Sequence, residues 1–100
     1  MNNNKISFTG IIYQKPIFVN SQNKIEKFAK DYKVPIKRIE EAYNTDIGIN
    51  DKLDLTFIHK RYGNLGIKNF FAGNFNQEID NICNQISQAI SNIKITKGQK

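Results

Sequence analysis

The stretch FAKDYKVPIKRIEEAYN, residues 28 to 44, predicts two short helices joined by a sharp break. Val34 is expected to end the first helix, because a residue that precedes proline avoids the α-helical region. Pro35 can begin the second helix, where its missing amide hydrogen removes no intrahelical bond. Each helix has apolar residues three or four positions apart, which is typical of a face turned toward a core. These residues are Ile25, Phe28, Ala29 and Tyr32 in the first helix, and Ile36, Ile39 and Tyr43 in the second.

Residues 5 to 13, before this helix pair, alternate between apolar and polar side chains as a half-buried strand does, and residues 17 to 19 are rich in β-forming residues. Residues 5 to 13, KISFTGIIY, predict one strand, and residues 17 to 19, IFV, predict a second strand. Pro16 lacks an amide hydrogen and is expected in the turn between them, so that the two strands form a hairpin. Asn20 or Ser21 is then expected to cap the first helix.

Two more strands are predicted after the helix pair. Residues 45 to 52, TDIGINDK, favour a loop, whereas residues 53 to 60, LDLTFIHK, alternate between two faces. The alternation predicts a half-buried strand in which His59 shares the inner face with the apolar side chains. Residues 67 to 71 predict the returning strand.

Apolar residues recur every three or four positions between Ile79 and Ile93, opposite a face of Asn, Gln and Ser. This spacing predicts an amphipathic helix of about five turns. The predicted element order is β-β-α-α-β-β-α. The sequence therefore predicts an α+β fold: a single domain, residues 1 to 100, in which helices cover an antiparallel sheet of about four strands. Residues 1 to 4 and 95 to 100 are expected to be frayed.

The chain is basic, since its 100 residues carry a formal net charge of +6. The excess is concentrated in residues 24 to 38, and residues 40 to 54 reverse the sign. A basic segment attracts polyanions or acidic partners through long-range electrostatic fields. The side chains expected to contact a polyanion are Lys24, Lys27, Lys30, Lys33, Lys37, Arg38, Lys60 and Arg61.

The helix pair also has the residue spacing of a DNA-binding motif. Ala29 is a small residue in the first helix, and Val34 and Ile39 are apolar positions at and after the break. This spacing resembles the helix-turn-helix of many transcription regulators, in which a small residue lets the second helix approach the first. The resemblance implies that Lys37 and Arg38, at the start of the second helix, contact DNA. The alternative is an ordinary αα corner packed on the sheet, which is a common supersecondary unit.

We therefore expect a small nucleic-acid-binding module, with DNA expected ahead of RNA as its ligand. An acidic protein partner is the alternative, because small size and segregated charge also suit an inhibitor or immunity-type factor from a mobile element. Glu40 and Glu41 favour that alternative if they interrupt the positive charge of residues 24 to 38, since carboxylates repel phosphates. If the isoleucine stripe of the last helix is longer than the sheet can cover, its exposed part would also allow homodimerisation through that helix.

A small ribonuclease toxin is the third class of function considered. His59, Lys60, Arg61 and Tyr62 combine groups that move protons with cations that stabilise a phosphate transition state. His59 and Lys60, however, point to opposite faces of the predicted strand. Cys83 lies in the middle of a helix, with no activating side chain nearby in sequence. No catalytic residue is assigned, and an enzyme is not expected.

The rest of the composition limits cofactors and location. One cysteine excludes an internal disulfide, and one cysteine with one histidine makes no Cys/His metal site within a chain. We expect neither a metal nor a cofactor. The apolar runs are too short to cross a membrane, and residues 1 to 8, MNNNKISF, lack the apolar segment of a secretory signal. A cytoplasmic protein without membrane contact is expected.

Phe70 and Phe71 are neighbours in the last predicted strand and therefore point to opposite faces. We expect the helices and the sheet to cover both rings. The alternative is one exposed ring beside Lys68, which could stack on a nucleic-acid base or anchor a protein partner.

Overall fold

The computed structural model describes residues 10 to 98, and their side chains as far as residue 96. One strand is followed by two helices, four further strands and a long helix. In chain order these are β1 (Ile11–Gln14), α1 (Val19–Asp31), α2 (Lys33–Tyr43), β2 (Thr45–Asn50), β3 (Asp54–His59), β4 (Gly63–Asn64), β5 (Phe70–Phe71) and α3 (Phe75–Gly98), with a 3-10 turn (Ala72–Asn74) before α3. The α+β class and the long C-terminal helix are confirmed, whereas the strand order differs from the prediction.

The strands form a mixed sheet and not the predicted antiparallel one. β1 pairs with β2 in parallel, and β2 pairs with β3 in antiparallel orientation. β4 and β5 both pair with β3, one at each end of it. The parallel pair follows from the connection, because α1 and α2 together form the long crossover that a parallel pair requires.

The predicted hairpin before α1 is wrong in its second strand. Val19 begins α1, and no strand follows β1 before that helix. The backbone amide of Phe18 donates a hydrogen bond to Asp51 Oδ1 at 2.9 Å, which directs the chain into the helix. The predicted cap is also wrong, since Ser21 lies within α1 and its hydroxyl donates to the carbonyl of Asp51. Residues 5 to 9 of the predicted first strand lie outside the described residues.

Residues 45 to 50, predicted as part of a loop, form β2, an inner strand of the sheet. Ile47 and Ile49 are fully buried, and the strand is paired on both sides. On its other face, a Cβ at Gly48 would lie 2.6 Å from Thr56 Oγ1, and Thr56 donates a hydrogen bond to Gln14 across it. A short apolar run with a glycine is locally ambiguous, and burial between two neighbouring strands decides its structure.

The predicted helix pair is present, but its connection is shorter than that of a helix-turn-helix. Tyr32 alone separates α1 from α2, whereas the motif has a turn of three to four residues. The amide of Tyr32 donates to the carbonyl of Phe28, and the amide of Ile36 donates to the carbonyl of Tyr32. Helical hydrogen bonding is therefore almost continuous from α1 into α2. Pro35 lies in the first turn of α2, where its missing donor removes no intrahelical bond.

A single core lies between the helices and one face of the sheet. The inner face of β3 is confirmed, since Leu55, Phe57 and His59 are all buried. The apolar stripe of α3 is covered in its first half, but Ile95 near the end of the helix is 59% exposed. α3 continues to Gly98. Homodimerisation through α3 stays a prediction.

Candidate nucleic-acid interface

The cationic side chains of α1 and α2 all point to solvent. We call this set the basic surface: Lys24, Lys27, Lys30, Lys33, Lys37 and Arg38. Their exposure follows from the helical period, because the buried positions Ile25, Phe28 and Ile36 take the face that packs on the sheet. The structure therefore presents on two consecutive helices the six predicted contact residues between positions 24 and 38.

The carboxylates of the same segment are partly withdrawn from this surface. Glu26 is half-buried and accepts a hydrogen bond from Gln22 at 3.3 Å. The Glu40 side chain is only 16% exposed and forms an ion pair with Lys60. Asp31 and Glu41 remain exposed. Six cations thus face two exposed carboxylates, and the surface keeps a positive excess.

Ion pairing within the basic surface is confined to one lysine. Lys27 Nζ lies 3.1 Å from Asp31 Oδ2, one turn further along α1, and both side chains are well exposed. Such solvent-exposed pairs contribute about 0–1 kcal/mol and are readily exchanged for another anion. Among residues 10 to 98, the remaining five cations of the surface have no carboxylate within ion-pair distance.

Lys60, predicted as a contact residue, is held by carboxylates instead. Its Nζ lies 2.6 Å from Glu40 Oε2 and 3.6 Å from Asp46 Oδ1. The hydrogen bond to Glu40 is the main reason why the pKa of Lys60 is raised above its usual value, and the charges of Asp46 and Glu40 add to it. This contact places the turn after β3 against α2. Lys60 is thus less available to a ligand than the lysines of α1.

Arg61 is exposed in the turn between β3 and β4, and its position depends on His59. His59 is 7% exposed, and its Nδ1 accepts hydrogen bonds from the amides of Arg61 and Tyr62 at 3.0 and 3.1 Å. The imidazole also stacks on the Tyr62 ring, with centroids 4.4 Å apart. Burial is the main reason why the pKa of His59 is lowered, with the charges of Lys94 and Arg61 adding to it. The neutral imidazole of His59 therefore holds the turn in place.

His59 and Cys83 are both poorly placed for proton transfer or nucleophilic attack. The Nδ1 atom of His59 is occupied by backbone amides, and the ring is buried. Cys83 lies partly buried next to Tyr43, and burial raises the pKa of its thiol, which disfavours the reactive thiolate. Residues 10 to 98 contain no cluster of three or more His, Cys, Asp or Glu side chains suited to a metal ion.

Two exposed phenylalanines complete the description of the surface. Phe70 is buried, but Phe71 is 48% exposed on the outer face of the sheet, so the expectation that both rings are covered is wrong for Phe71. Lys68 lies over the ring of Phe70, 5.1 Å from its centroid. Phe18, at the start of α1, is 64% exposed. The sequence did not predict this exposure, because the β-forming residues 17 to 19 indicated a strand.

None of the helices described between residues 10 and 98 combines the length and apolarity needed to cross a bilayer. Comparison with models of protein families, with curated proteins and with solved structures found no match for this chain. Conclusions about function therefore depend on the geometry and charge of the surface itself.

Proposed function

We propose that this protein binds nucleic acid through the basic surface. The observation that supports this most directly is the exposure of Lys24, Lys30, Lys33, Lys37 and Arg38 without a carboxylate partner among the described residues. Phosphates are the ligands that such a surface attracts, and their binding releases condensed counterions into solution. Glu40 and Glu41 are the two carboxylates of α2 that would repel a phosphate. The ion pair with Lys60 withdraws Glu40 from the basic surface.

The expected contacts are to phosphates and not to base edges in a groove. α2 uses one face for packing, since Ile36 and Ile39 are buried, and its link to α1 lacks the turn of a helix-turn-helix. The outer face of α2 remains available, with Lys37 and Arg38 near its middle. Contacts of this type fix position and affinity without specifying sequence. We therefore propose recognition of phosphates, which DNA and RNA share.

The salt dependence of binding tests this proposal. For a ligand of about 12 nucleotides, the logarithm of the affinity should fall with the logarithm of salt concentration with a slope of about −3 to −5, as expected for four to six phosphate contacts. Lys37→Glu with Arg38→Glu should weaken binding by at least about tenfold and reduce the slope by about 2. Fluorescence anisotropy at several salt concentrations measures both quantities.

Lys52→Glu with Lys68→Glu is the matched control, because it makes the same change in net charge outside α1 and α2. The control should leave the salt slope near that of the unaltered protein. Equal losses in the two double variants would mean that net charge alone, and not the basic surface, governs binding. Absence of binding at low salt would refute the proposed function.

An acidic protein is the second candidate ligand, and Val34 is the observation that favours it. Val34 is 64% exposed on the outer face of α2, between Lys33 and Lys37. Protein interfaces combine apolar contacts with charge complementarity, whereas a phosphate gains nothing from a valine. If the ligand is a protein, replacing Lys37 and Arg38 should have no effect on oligonucleotide binding. The anisotropy measurements therefore separate the two candidates.

A further inference from the structure

Two neighbouring apolar side chains stand exposed at the beginning of α1, where the basic surface starts. Phe18 is 64% exposed and Val19 is 73% exposed. Single exposed apolar residues are common on protein surfaces. Here an aromatic and an aliphatic residue are neighbours in the chain, and Lys24, the first lysine of the same helix, follows within two turns.

Two hydrogen bonds hold the backbone of Phe18, and a third joins the following turn of the helix to Asp51. The Phe18 amide donates to Asp51 Oδ1 at 2.9 Å, and its carbonyl accepts from the amide of Gln22 at 2.8 Å. Ser21, one turn into the helix, donates its hydroxyl to the carbonyl of Asp51 at 2.9 Å. The ring therefore extends from an ordered part of the backbone, and little backbone conformational entropy remains to be lost when a ligand contacts it.

The distances along α1 suit a short stretch of nucleic acid. With a rise of 1.5 Å per residue, Lys30 lies about 18 Å from Phe18 along the helix axis. Val19, Asn23 and Lys30 follow each other at helical spacing on the outer face of α1, with Lys27 beside them. A length of about 18 Å corresponds to about five phosphates of a strand stacked at the B-form spacing of about 3.4 Å, and to fewer phosphates of a more extended single strand.

We propose that the ligand of the basic surface is single-stranded nucleic acid, with an unpaired base stacked on Phe18 and the following phosphates bound by the lysines of α1. This inference rests on the proposed function and specifies its ligand. A base in a duplex is covered on both faces by its neighbours, so an exposed ring has nothing to stack on. An unpaired base has a free face, and aromatic side chains next to cations are the usual means of binding it.

The test compares four labelled ligands by anisotropy: a 12-nucleotide dT strand, a 12-nucleotide U strand, a 12-base-pair duplex and a 12-nucleotide abasic strand. Phe18→Ala should weaken binding of the dT or U strand by at least about fivefold, the lower end of the effect of one stacked base. It should leave the duplex and abasic strands unaffected, since the phosphate contacts remain. The two single strands together show whether DNA or RNA is preferred.

Phe71→Ala is the matched control, because Phe71 is also an exposed phenylalanine but lies on the outer face of the sheet. It should bind like the unaltered protein, and Phe18→Trp should retain binding of the single strand. Phe18→Ala keeps the backbone bonds to Asp51, so an unchanged thermal unfolding curve is expected.

Two results would overturn this inference and leave the proposed function in place. Either Phe18→Ala binds all four ligands as the unaltered protein does while the Lys37/Arg38 variant loses binding, or Phe18→Ala weakens the abasic strand as much as the dT strand. Failure of the unaltered protein to bind any of the four ligands would refute both proposals.

Discussion

His59 is a buried histidine whose neutral ring organises the turn after β3. Its place on the inner face was predictable from alternation along residues 53 to 60. Its role was not predictable, because the two hydrogen-bond donors to Nδ1 are backbone amides positioned by the turn itself. Lys94 and Arg61 lie close enough to disfavour a charged imidazole. At this position the local pattern specified the location, and the folded turn specified the protonation state.

The stability of the protein should therefore fall as the pH is lowered through the range in which an unfolded histidine titrates, near ~6.5. The folded pKa is lowered, so the unfolded chain binds the proton more readily and the folded state loses stability on acidification. Above about pH 7.5 both states are neutral at this residue, and its contribution should be constant. Urea unfolding at pH 7.5, 6.5 and 5.5 measures the effect.

His59→Gln is the informative comparison, because the chain has one histidine. The variant should be less stable at pH 7.5 but should show a flatter dependence on pH between 7.5 and 5.5. An equally steep dependence in the variant would assign the effect to other groups and contradict the role given to His59.

α2 has one face that packs on the sheet and one that faces solvent, and the sequence period predicted both. Ile36 and Ile39 are almost fully buried, as predicted, while Val34, which was expected to end the first helix, lies in α2 and is 64% exposed. The backbone just before β1 packs closely on Ile36, since a Cβ at Gly10, where φ is +85°, would lie 2.9 Å from Ile36 Cγ2. Helical spacing is a local property, which is why this division was visible without a structure.

Ile36→Ala should lower the free energy of unfolding by about 2–4 kcal/mol, because it leaves a cavity in a packed core. Val34→Ala on the same helix is the control and should change stability by less than about 0.5 kcal/mol. Chemical denaturation of both variants provides the comparison. Similar losses in the two variants would show that α2 does not pack by the face described.

The two sides of the molecule differ in charge. The outer sides of α1 and α2 carry the basic surface, while the outer face of the sheet carries Asp46 and Asp54, and Lys60 is engaged by Glu40 and Asp46. A polyanion should therefore bind on the helical side alone. This polarity follows from a segregation already present in the sequence, since residues 24 to 38 are basic and residues 40 to 54 are acidic.

Titration of the protein with the 12-nucleotide dT strand should shift backbone amide resonances of residues 18 to 38 in NMR spectra. Residues of β3, Asp54–His59, should keep their positions, since their exposed side faces away from the basic surface. Shifts centred on Phe71 and the outer face of the sheet would place the ligand on the opposite side. That result would contradict the proposed interface while leaving nucleic-acid binding itself established.

The three helices, their inner and outer faces and the outward direction of the lysines were predictable from sequence, because amphipathic spacing acts over a few neighbouring residues. That residues 45 to 50 form an inner strand depends on the packed fold, since that strand is defined by its partners on both sides. The same holds for Phe18, which Asp51 holds from 33 positions away, and for Lys60, which Glu40 engages from 20 positions away. Contacts between distant parts of a chain depend on how the elements pack, and local spacing carries no information about them.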